Sequence, residues 1–197
     1  MASEWTETTL GALCAEQGGS IQTGPFGSQL HASDYLPIGT PVVMPVNLID
    51  GNISEVGIAR VGTDHDASLA RHKLKPGDIV FSRRGDVTRF ALVGNRESGW
   101  LCGTGCLKVS LGDSRIATPE FISGVLSLPE TKDWLVQHAV GATMLNLNTG
   151  ILSAIPIRLP NLRTQTEAAS LLSSLKSRID SLRQTNATLE AIAQALF

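Results

Sequence analysis

Gly141-Ala142-Thr143-Met144-Leu145-Asn146-Leu147-Asn148-Thr149-Gly150 is a polar stretch bounded by glycines. An apolar run broken by Pro156 and Pro160 follows over residues 151–162, and Thr164-Gln165-Thr166-Glu167 then opens a helix. Ser/Thr-x-x-Glu is the pattern of a capping box, in which Thr164 is the expected N-cap. Past it, Leu172, Ile179, Asn186 and Ala193 recur every seven residues, interleaved with Ala168, Leu175, Leu182, Leu189 and Leu196. That is a heptad seam, and it predicts a helix running to the end of the chain, about 50 Å long at 1.5 Å per residue. The two prolines restrict the chain, so residues 151–162 are expected to form a fixed junction with Ile151, Leu152, Ile155, Ile157 and Leu159 largely buried. The reading is one domain over residues 1–160, followed by a long coiled-coil spacer and dimerisation helix over 161–197.

Upstream of the join, short strand signals dominate. Residues 5–17 read as weakly helical and 18–27 as a glycine-punctuated loop. Strands are expected over 41–49, 53–61, 79–83, 90–93 and 106–111, with turns at Asp50-Gly51 and Lys75-Pro76-Gly77-Asp78. Thr118-Pro119 and Pro129 start two helices, proline being suited to the first helical position. Strands first and helices after argue for an α+β fold, a mixed short-strand domain with the long helix attached.

With 197 residues and 42% hydrophobic content there is ample material for a core. No apolar run approaches a membrane span, and the first 20 residues lack the basic start of a signal peptide. Three cysteines, Cys14, Cys102 and Cys106, cannot all pair, which fits a reduced, cytoplasmic setting. Cys102-x-x-x-Cys106 with His65, His72 or His138 is too loose for a zinc site, so these are read as core thiols and no metal is expected. Ser28, His31 and Asp34 lie on one short segment, whereas members of a catalytic triad come from separate elements. Gly24-Pro25-Phe26-Gly27 lacks the Asn, Asp or Ser before two prolines that an amino-methyltransferase loop needs. No glycine-rich phosphate cradle follows a strand. Catalysis by this chain is not expected.

The net charge of −2 hides an uneven distribution. Residues 1–59 carry six acids and no Lys or Arg, whereas residues 60–96 carry eight bases against four acids. Within that segment Ser82-Arg83-Arg84-Gly85-Asp86-Val87-Thr88-Arg89 leaves a predicted strand. Asp86 can neutralise one arginine, which leaves at least two able to grip phosphate or guanine with their planar forks. Arg83, Arg84, Arg89, Lys73 and Lys75 are therefore candidate DNA contacts. Gln29, Thr143, Asn146 and Asn148 join them, because Thr and Asn groups can donate to phosphates or read adenine edges. Candidate dimerisation residues are Leu172, Leu175, Ile179, Leu182, Asn186, Leu189 and Leu196.

At these residues the sequence resembles the specificity subunit of type I restriction–modification systems. The resemblance rests on Ile21-Gln22-Thr23-Gly24-Pro25-Phe26-Gly27-Ser28-Gln29-Leu30, on residues 77–87, on 141–152 and on 188–197, in that family's order. It implies a DNA target recognition domain followed by a conserved helix. It also implies partners: double-stranded DNA, methyltransferase (M) subunits that use S-adenosylmethionine, and a restriction (R) subunit. The chain itself would hold no cofactor. Family members usually carry two recognition domains and two such helices. One of each here looks like a half subunit, either naturally half-length or trimmed. A single domain with a heptad helix is expected to form a homodimer through that helix and to read a bipartite site. A solitary homodimeric DNA-binding regulator without methyltransferase partners is the alternative.

Overall fold

A computed structural model describes residues 5–196. Its centre is an antiparallel four-stranded sheet in the order β2-β10-β7-β8, formed by β2 (Gly18–Thr23), β7 (Ile79–Ser82), β8 (Phe90–Leu92) and β10 (Cys106–Gly112). Period-two alternation buries both faces. On one face Ile79, Phe81, Phe90, Leu107, Val109 and Leu111 meet α1 (Leu10–Glu16), α3 (Pro119–Ser127), α4 (Pro129–His138) and α5 (Thr149–Ser153), forming the main core. On the other, Val80, Ala91 and Cys106 pack with Val43, Leu48 and Ile53.

That second layer comprises β3 (Tyr35–Val43), β6 (Ala59–Val61) and β9 (Leu101–Cys102), ordered β6-β3-β9, and the hairpin of β4 (Leu48–Ile49) and β5 (Asn52–Ile53). Asp50-Gly51 is the hairpin's turn, as expected from the sequence. The short helix α2 (Thr63–Ser68) follows β6. Mixed strands and segregated helices make the fold α+β, with a long C-terminal helix, α6 (Leu162–Leu196).

Several sequence expectations are revised. Residues 18–27 are not all loop, because β2 pairs antiparallel with β10 from Gly18↔Gly112 to Thr23↔Leu107. The strand expected over 41–49 is instead β3, ending at Val43, then a short 3-10 turn and β4. The strand expected over 53–61 is split into β5 and β6. Residues 5–17 divide into β1 (Thr6–Thr9) and α1, with Thr9 capping the helix. The cap of α6 lies earlier than Thr164. Asn161 Oδ1 accepts from the Thr164 amide at 3.0 Å, and Glu167 pairs with Arg163 at 2.9 Å instead of reaching back.

The junction is tied into the fold on both sides. β11 (Pro156–Leu159) pairs antiparallel with β1, Thr6 opposite Leu159 and Thr9 opposite Pro156, which ties the start of the domain to the entry of α6. Leu152, Ile155, Ile157 and Leu159 are buried and Ile151 half-buried. Gln165 is 0% exposed. Its Oε1 accepts from the Thr118 amide at 3.2 Å, and its Nε2 donates to the carbonyls of Ile116 and Pro160, each at 2.9 Å.

Beyond Gln165, α6 runs along its own domain. Ala168 and Ala169 pack on the main core, and Leu172 shares an apolar groove with Trp5, Phe121, Gly124, Val125 and Leu128. Lys176 donates to the Gly51 carbonyl at 3.2 Å and Arg183 to Asp50 at 3.0 Å. The first seam positions thus face the domain. Leu175, Ile179, Leu182 and Leu189 are about half exposed along a continuous stripe. The Leu196 side chain and Phe197 lie outside the described residues. No described helix is long and apolar enough to cross a membrane.

Candidate nucleic-acid interface

In the four-stranded antiparallel sheet, β2 and β7 exit where β10 and β8 enter. One end of the sheet therefore collects residues 24–29, 83–89 and 103–105. The opposite end carries the Lys75–Asp78 turn, whose Lys75 carbonyl accepts from the Asp78 amide at 3.0 Å. Lys75 is thus separated from the arginines by the length of β7, about 13 Å at 3.3 Å per residue. The structure does not bring it into the cluster. Lys73 also stands apart: its ammonium is 2.7 Å from Asp66, and its carbonyl accepts from the buried Lys108 at 2.8 Å.

The arginine segment meets the polar join. Arg84 and Asn146 form a single antiparallel bridge. The Gly85 amide donates to the Leu145 carbonyl at 3.0 Å, and the Leu147 amide donates to the Arg83 carbonyl at 2.9 Å. Gly85 has φ of 79°, a left-handed conformation in which a side chain would be strained. Two segments about sixty residues apart in sequence thus form one surface.

The arginines differ in state. Asp86 accepts from Arg89 Nε at 3.0 Å and from Thr88, through its hydroxyl at 2.7 Å and its amide at 3.1 Å. The Thr88 bonds, with Arg89, hold the Asp86 carboxyl below the usual carboxylate range. Arg89 is therefore paired with Asp86 across an exposed contact. Arg83 is half-buried, and its Nε is buried with no hydrogen-bond partner among the described residues. Arg84 is exposed and makes no ion pair among the described residues. Two guanidinium groups remain uncompensated.

The amide candidates are partly committed. Asn146 Nδ2 donates to the Met144 carbonyl at 2.8 Å, and Asn148 Oδ1 accepts from the Ile151 amide at 2.9 Å as the N-cap of α5. Thr143 is exposed at the loop tip. Gln29 Oε1 accepts from the Phe26 amide at 3.1 Å, within its own turn. Sequence reasoning missed Gln165 and Gln17, a second buried amide whose Oε1 accepts from the amides of Ile116 and Ala117 at 2.8 and 2.7 Å. A lone glutamine carries no local signal of such a role.

No group of three or more His, Cys, Asp or Glu able to hold a metal ion occurs among the described residues. All three cysteines are buried, which pushes Cys14 up to about 11 and Cys102 to about 12. They are free thiols within the core.

Comparison with known proteins agrees with this architecture. The specificity subunit of the HindI type I restriction enzyme of Haemophilus influenzae is 28% identical over 131 residues, 65% of this chain and 28% of that protein. The S subunit of a type I restriction–modification system from M. genitalium has the same fold, with a TM-score of 0.66 at 17% identity, covering 93% of this chain and 42% of the other. The HsdS subunit of Thermoanaerobacter tengcongensis gives 0.66 at 17% identity, covering 95% and 46%. The chain thus spans less than half the length of each. The model of the type I restriction modification DNA specificity domain matches residues 68–191. That span takes in the arginine segment, the polar join and most of α6, and the chain belongs to this family of type I DNA specificity domains.

Proposed function

We propose that this chain recognises DNA sequence for a type I restriction–modification system. It would bind double-stranded DNA through the sheet end that carries Arg83, Arg84, Arg89 and the 143–149 loop, and would steer methyltransferase and restriction subunits to a bipartite site. The observation that carries this reading is the convergence of the arginine segment and the polar join on one rigid face with two uncompensated guanidinium groups. Methyl transfer and its S-adenosylmethionine belong to the methyltransferase; the role of this chain is recognition and assembly.

The exposed stripe of Leu175, Ile179, Leu182 and Leu189 supports a homodimer through α6. Leu182 lies midway between Leu175 and Leu189. A two-fold axis there would place Leu175 of each copy against Leu189 of the other in an antiparallel pair. Such symmetry makes both domains read the same half-site in inverted orientation.

Binding of the Arg83→Ala, Arg84→Ala, Arg89→Ala triple variant tests the surface. With the fold intact, affinity for the cognate site should drop steeply. The salt dependence should flatten by roughly one unit of slope for each phosphate no longer gripped. Unchanged affinity at every salt concentration would refute the assignment. Failure of the chain to co-purify with a methyltransferase, with DNA binding intact, would instead favour a solitary regulator.

A further inference from the structure

We infer that Phe26 is an apolar base contact of this DNA surface, and that Gln29 is the positioning residue that holds its ring outward. The inference rests on the DNA-recognition reading above. A single exposed apolar side chain is ordinary, but Phe26 sits on a built platform. It is 59% exposed, while Leu30, four residues on, is 3% exposed and anchors the segment. The Phe26 amide donates to Gln29 Oε1 at 3.1 Å, and the Gln29 amide donates to the Phe26 carbonyl at 2.8 Å. Pro25 is buried, and the Gly24 amide donates to the Cys106 carbonyl at 2.9 Å. Backbone lies so close that a Cβ on Gly24 would overlap the Gly103 carbonyl oxygen. The turn is therefore clamped at its base and across its middle, and the ring is what it presents.

The platform's place identifies the occupant. Gly24 touches Gly103, and the Arg83 amide donates to the Gly105 carbonyl at 2.8 Å. The Phe26 turn and the arginine segment thus flank the same short connection into β10. Met44 and Pro45 border the same connection, but the arginine segment leaves its other side with two uncompensated guanidinium groups, which an apolar protein patch would leave unpaired. Duplex DNA matches both: phosphate for guanidinium, and a base face or thymine methyl for the ring. An apolar base contact adds specificity without releasing counterions, so its signature is distinct from that of an arginine.

The experiment selects ligands for the full wild-type chain from randomised duplexes. Affinity is then measured against salt on the enriched duplex and on a scrambled one. Phe26→Ala should weaken binding to the enriched duplex roughly tenfold, leave the salt slope unchanged and reduce the enriched-to-scrambled ratio by the same factor. Phe26→Leu should retain part of that preference. Gln29→Ala should lower the ratio in the wild-type background and have no further effect in Phe26→Ala, the coupling expected of a residue acting through the ring. Arg84→Ala should change the slope. If Phe26→Ala keeps the full ratio while Arg84→Ala weakens binding, this inference fails and the recognition reading stands. If the selection enriches no sequence, both fail.

Discussion

Arg84 and Arg89 lie five residues apart, yet only one has a free charge to offer. Asp86 holds Arg89 and leaves Arg84 unpaired, so Arg84→Ala should reduce the salt slope of DNA binding by roughly one, and Arg89→Ala by less. Equal slopes for both variants, measured by salt titration, would contradict that difference. His72 offers a second test, of stability. It is buried, and burial with the nearby positive charges of Arg71 and Lys108 lowers its pKa. Its Nε2 accepts from Arg71 Nε at 2.9 Å, which requires the neutral ring on that side. A histidine whose folded-state value is depressed stabilises the fold fully above its unfolded value of about 6.5 and loses that contribution as pH falls through 6.5 towards the folded value. The thermal midpoint should therefore drop between about pH 7.5 and about pH 5.5. His72→Gln should flatten that drop, and an identical pH profile in wild type and variant would contradict the assignment.

Elements that carry their own signal were legible from the chain: β7, β8 and β10 as apolar runs between turn residues, α3 from Thr118-Pro119, and α6 from its heptads. β2 was not, because Gly18, Gly19 and the polar Ser20, Gln22 and Thr23 hide its alternation. It is a strand because β10 supplies its ladder. The helix cap was misplaced for a similar reason. Asn161 and Thr164 both suit an N-cap, and Pro160 and the buried Gln165 decide between them through tertiary contacts. Of the candidate site, the arginine segment and the polar join were visible separately. Their bridge at Arg84 and Asn146 was not, since strand exits come together only through sheet order. Gln165 welds α6 to the domain, so Gln165→Leu should leave the Thr118 amide and two carbonyls unpaired. Stability should fall by about 1–3 kcal/mol, with faster amide exchange at the start of α3 and α6. A neutral variant in denaturant melts would show that α6 is held elsewhere.

Across the whole molecule, α6 packs on its domain as far as Leu172, touches it again through the Lys176 and Arg183 side chains, and then extends over residues 184–196, about 20 Å at 1.5 Å per residue. Leu175, Leu182 and Leu189 leave water when a second helix covers them, so light scattering should report a dimer for the wild type. Leu175→Asp with Leu182→Asp should give a folded monomer, and a persisting dimer would place the interface elsewhere. Sequence recognition by the strand-exit face is the central claim, and symmetry makes it specific. The most direct measurement is the methylome of cells expressing this chain with a methyltransferase that co-purifies with it. The account predicts an interrupted palindrome that disappears when Arg83, Arg84 and Arg89 are changed to alanine. An asymmetric split motif, or a motif untouched by those three substitutions, would contradict it.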